Sequence, residues 1–139
     1  MAEEAAEMAG WALPQQGEFV WTEIASNDAD TAQAFYEAVF GWTFKSGNAA
    51  PGMDYREFST GEDRPIGGLY QIDPEWFGGN PPPPHFMIYV AVDDVDQNAE
   101  LAEELGATVH KKIDIPNVGR MAIIQDPTGA MIATFTMKN

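Results

Sequence analysis

From Phe19 the chain alternates. Val20, Thr22 and Ile24 fall on one face of an expected strand, and Phe19, Trp21, Glu23 and Ala25 on the other. Ser26 and Asn27 then offer an N-cap. Ala32, Phe35, Tyr36, Val39 and Phe40 follow at i, i+3, i+4, i+7 and i+8, the stripe of a helix lying on a core. Gly41 stands where a left-handed helix terminator is expected. Alternating runs over 42–46, 55–59 and 66–72 predict three strands with Gly- and Pro-containing turns between them.

The same grammar then recurs. A strand is predicted over 86–92, followed by a helix capped by Asp94 with Gln97 reaching back. Val95, Ala99, Ala102 and Leu105 mark its buried face and Gly106 its stop, while Asp96, Glu100, Glu103 and Glu104 form a solvated face. Strands over 107–113, 120–125 and 131–137 complete the copy, the last two joined by a turn at 126–129. Residues 27–44 and 93–109 thus nearly repeat one another. A repeat longer than about 50 residues that occurs twice points to one domain of two similar halves, not a solenoid. Strand, helix and three strands, twice over, predict an α+β fold: two mixed sheets with one helix each on the outer faces. Between the halves, Pro81 to Pro84 form a stiff spacer in an expected linker over 73–84, with module one over 18–72 and module two over 85–137. Residues 1–17 read as an N-terminal arm, with a short helix as far as Leu13-Pro14 and Met8, Trp11 and Leu13 as anchors.

Composition narrows the choice of function. The 139 residues are 45% apolar, enough for a core, and carry a net charge of −15 from 22 acids against 7 bases. That field repels nucleic acid phosphates and anionic lipid, so neither is an expected partner. The acidity serves solubility or adaptation to high salt. No run approaches the roughly 18 apolar residues of a membrane span, and the acidic N-terminus is unlike a signal peptide, so a cytoplasmic location is expected. Without cysteine there is no disulfide, thiolate nucleophile or thiolate metal site.

Three motifs add a resemblance: Phe35-Tyr36-x-x-x-Phe40-Gly41-Trp42, Val92-Asp93-Asp94-Val95-Asp96, and Asp126-Pro127-Thr128-Gly129-Ala130 at the end of the stretch from Ile115. Together they resemble the vicinal oxygen chelate, or glyoxalase/bleomycin-resistance/extradiol dioxygenase, superfamily over residues 18–137. The resemblance implies paired βαβββ modules whose sheets curl around a shared cup. It also implies that metal-dependent members draw ligands from the first and last strands of each module. A divalent ion held there would polarise vicinal substrate oxygens. The matching positions here are Trp21, Met87, a residue near Gly68 and about Ala133, none an imidazole or carboxylate. No metal and no cofactor are therefore expected. A displaced constellation of Glu23, Glu57 and His85 is the alternative, and His110 reads as a solvated strand residue.

The cup expected instead is apolar and aromatic, suited to a planar or apolar small molecule. Its expected ligand-binding residues are Trp21, Glu23, Arg56, Tyr70, His85, Met87, Tyr89 and Arg120. Phe19 and Phe135 are weighed towards core. A carboxylate beside Trp21 would be partly desolvated and useful as a general base, which makes Glu23 the catalytic candidate. The competing reading of Glu23 is a salt bridge to Arg56 or Arg120. Three functions follow: a metal-free small-molecule binder, a lyase or isomerase using Glu23 or a displaced metal, and a sensing or partner-binding module. A homodimer is expected by analogy.

Overall fold

The structure, a computed structural model, describes residues 14–47, 52–61 and 64–138. The expected arm anchors Met8, Trp11 and Leu13 lie outside them. Two compact units are present: one runs from Trp21 to Met87, and the other joins the chain before Trp21 to the chain from Ile88 onward.

In the first unit β1 (Phe19–Ser26) leads to α1 (Ala29–Phe40), β2 (Thr43–Ser46), β3 (Tyr55–Ser59) and β4 (Gly67–Gln71). β1 pairs parallel with β4, β4 antiparallel with β3, and β3 antiparallel with β2. The parallel pair needs a long crossover, and α1 with two strands supplies it. A single turn labelled α2 (Trp76–Gly79) follows.

The second unit repeats this order with β5 (His85–Ala91), α3 (Val95–Glu104), β6 (Thr108–Ile115), β7 (Gly119–Gln125) and β8 (Met131–Met137). Again the first strand pairs parallel with the last, β5 with β8, and β8–β7–β6 are antiparallel. Each module is thus a four-stranded mixed sheet with a helix, the α+β architecture expected from the pattern.

Capping sets the helices, with one shift from expectation. The N-cap of α1 is Asp28, whose Oδ1 accepts from the Thr31 N–H at 3.1 Å. Ser26 acts one step earlier, its Oγ accepting from the Asp28 N–H at 3.0 Å. Gly41 closes the helix at φ 71°, where only glycine sits without strain. Asp94 caps α3 by accepting from the Asp96 and Gln97 N–H groups.

The apolar stripes are covered only in part. Ile24, Ala29, Phe58 and Leu69 form the first core, with Ala32, Tyr36, Trp42 and Phe44 packed on it. Phe35, Val39 and Phe40, expected on the buried face, are instead 55%, 54% and 58% exposed. In the second unit Val92, Val95, Ala122 and Ile124 form the core, while Leu105 is 68% exposed. Ala29, Ala32 and Tyr36 bring α1 onto the first core, and Val95, Ala99 and Ala102 form the covered line of α3.

Candidate functional site

Strand alternation sends Ile24, Phe58 and Leu69 towards α1. The same alternation sends Trp21, Glu23, Tyr55, Glu57 and Tyr70 to the opposite face of the first unit's sheet. Register completes the placement. Glu23 lies opposite Gly68 and Gly68 opposite Glu57, while one row along Ala25, Tyr70 and Tyr55 are aligned.

A hydrogen-bond chain crosses this face. The Trp21 indole Nε1 donates to the Tyr55 hydroxyl at 2.8 Å, and that hydroxyl donates to Glu23 Oε2 at 2.7 Å. Tyr55 reaches Glu23 by lying across β4 at Gly68, where an added Cβ would fall on its hydroxyl and ring carbons. Tyr70 stacks parallel to Tyr55, centroids 6.5 Å apart at 8°, and Trp76 lies against Tyr70 at 6.0 Å. Burial pushes the Tyr55 phenol well above its usual range, and the negative charge of Glu23 pushes it further. Tyr70 is pushed up to about 12, again by burial first and Glu23 second. Both phenols are protonated at neutral pH, and that of Tyr55 is the hydrogen-bonding one.

The other expected site residues lie elsewhere. Arg56 sits on the α1 side of β3, bound to Asp54, Asp30 and Gln33, facing away from Glu23. These contacts, Asp54 foremost, hold its guanidinium above the usual range. Arg120 joins Asp96 and Asp114 in a surface network that Lys112 shares through Asp96. His85 donates Nδ1–H to the Pro83 carbonyl at 2.8 Å. Tyr89 is buried in the second unit, its hydroxyl directed to Met121 Sδ at 3.5 Å. Met87 is half-buried on β5, and His110 contacts Gln125 at 2.8 Å.

Tyr55 and Trp76 were absent from the expected site. One signal for Tyr55 was in the sequence: paired glycines inside a strand, Gly67-Gly68, mark a place where another group approaches closely.

A search for relatives assigns the chain its family. The family model described as Glyoxalase/Bleomycin resistance protein/Dioxygenase superfamily matches residues 18–134. The chain belongs to this superfamily. Among curated proteins it is 39% identical over 120 residues to "Putative glyoxylase CFP32" of Mycobacterium bovis, covering 86% of this chain and 44% of that protein. It is 29% identical over 124 residues to "Anthracycline biosynthesis protein DnrV" of Streptomyces peucetius, covering 83% of this chain and 45% of that one. The chain therefore spans less than half the length of these relatives. A solved methylmalonyl-CoA epimerase from Mycobacterium tuberculosis shares the fold at a TM-score of 0.62 and 15% identity, over 92% of this chain and 93% of that one.

Metal-dependent members of the superfamily set a test for the side chains at the four ligand positions. Trp21 offers only an N–H donor, and the space above Gly68 is taken by the Tyr55 phenol. Met87 carries a soft thioether and Ala133 a fully buried methyl group. This set does not suit a divalent ion that wants imidazole or carboxylate. Among the described residues, no group of three or more His, Asp or Glu could hold a metal, so Glu23, Glu57 and His85 do not form one.

Proposed function

We propose that this chain binds a small planar molecule, aromatic or apolar, on the face carrying Trp21, Glu23, Tyr55, Tyr70 and Trp76, and does so without a metal ion. The carrying observation is the Trp21–Tyr55–Glu23 chain set beside the parallel Tyr55 and Tyr70 rings. Aromatic walls with one oriented carboxylate suit a flat ligand that stacks and presents a hydroxyl or N–H to Glu23. A relative named for anthracycline biosynthesis agrees with a flat polycyclic ligand. The test is titration with a naphthoquinone and an anthraquinone, followed by tryptophan fluorescence and calorimetry. Saturable binding weakened at least tenfold by Tyr70→Ala supports the reading. Binding that Tyr70→Ala and Trp21→Ala leave unchanged would sink it.

A second reading has its own support: a hydrogen-bonded carboxylate on an aromatic face is a competent general base for a lyase or isomerase. Glu23 would then take a proton from carbon beside a substrate carbonyl. Glu23→Gln separates the two, because turnover lost with affinity retained marks an enzyme. Two further parts of the proposal are a homodimer and a cytoplasmic location. Among the described residues no helix is long and apolar enough to cross a membrane.

A further inference from the structure

We infer that Tyr55 is the positioning residue for Glu23, and that Gly68 is what admits it. The inference deepens the reading of this face as the ligand site and rests on it.

The direction of the hydrogen-bond chain is set at its start. An indole N–H can only donate, so the Tyr55 oxygen accepts from Trp21 and its single proton is left for the Glu23 carboxylate. Trp21 occupies the first-strand position where metal-dependent members place a ligand, and here it orients a phenol. Gly68 lies near the expected last-strand position of the same module, and its missing side chain is the space in which that phenol lies. Two departures from the metal pattern thus serve one arrangement. A hydroxyl takes the room a metal ligand would need and holds a carboxylate.

Tyr70 lies parallel to this ring, its centroid 6.5 Å away. The second module places other groups at the matching positions. Its register sets Tyr89 opposite Ala133 and Met121 opposite Phe135, with a hydroxyl–thioether contact in place of hydroxyl–carboxylate. A hydrogen bond donated to a carboxylate favours its ionised form and fixes its orientation, and Tyr55 donates one to Glu23.

The experiment needs no ligand. The Glu23 side-chain carboxyl is titrated by NMR in protein labelled with ¹³C at glutamate, assigned by its loss in Glu23→Gln. Tyr55→Phe removes one oxygen and is expected to raise the Glu23 midpoint by about one pH unit, tenfold in proton affinity. Gly68→Ala keeps the tyrosine but displaces it, and is expected to give the same shift. Loss of stability alone would not move this midpoint. A midpoint unchanged in Tyr55→Phe overturns the role of Tyr55, and one unchanged in folded Gly68→Ala overturns that of Gly68. A second measurement covers a Gly68→Ala that does not fold. In Glu23→Gln, the ¹³Cζ resonance of Tyr55 at neutral pH should move from its position in the parent protein, and no change there overturns the coupling. Quinone binding is scored separately, so a failed ligand reading and a failed positioning role give different results.

Discussion

At the residue scale, one glycine and one tyrosine do most to define the face of interest. Gly68 contributes only an absence, and Tyr55 fills it to reach a carboxylate 32 positions earlier in the chain. The neighbouring Gly67 serves packing, because a Cβ there would meet the Thr22 carbonyl oxygen and the Phe58 ring. The tyrosines also carry a pH signature. Tyr70 has a folded value raised to about 12 from the ordinary 10, so folding retains a proton that the unfolded chain would release. Its contribution to stability is complete below pH 10 and is lost as pH rises towards 12. Thermal melts should therefore show the melting temperature falling between about pH 10 and 12, with a shallower fall in Tyr70→Phe. Equal slopes in the two proteins would refute the linkage. Of this site the alternation of β1 placed Trp21 and Glu23 together, as read from the sequence. Gly67-Gly68 signalled a close approach but not that Tyr55 makes it, because alternation gives a residue's side of its own strand but not which strand lies beside it.

At the element scale, the βαβββ order, both helix stops and most strand bounds were readable from periodicity and glycine. The strands Tyr55–Ser59 and Met131–Met137 match their expected limits. The expectation that failed concerns how much of each helix is covered. Phe35, Val39 and Phe40 carry the right spacing yet remain over half exposed, since spacing describes a stripe and not the width of what it meets. Gly41 allows a clean test of the local reading. It sits at φ 71° with open space around its absent Cβ, so Gly41→Ala meets no clash and carries only the left-handed backbone penalty. That should cost about 1 kcal/mol in denaturant unfolding, with the slope against denaturant unchanged. A loss of several kcal/mol would mean the cap does more than end the helix.

At the scale of the whole molecule, two modules share strand order, parallel pairing and helix placement, and among the described residues the phenol-held carboxylate belongs to the first. Duplication has preserved the scaffold while the residues on it have diverged. The curated relatives are about twice as long as the stretch they share with this chain. For the proposed homodimer, light scattering should give twice the 15.2 kDa chain mass. Each chain carries a net charge of −15, so association should strengthen as salt screens the repulsion. A monomer mass at every salt concentration would refute the dimer. Local periodicity, backbone conformations that few residues allow and contiguous motifs made the βαβββ order, its duplication, the helix stops and the superfamily readable from the sequence. That Tyr55 spans Gly68 to hold Glu23, that Arg56 faces away and that Tyr89 is buried emerged with the fold. Those outcomes depend on strand register and pairing, which join residues distant in the chain and leave little trace in the local pattern of either partner.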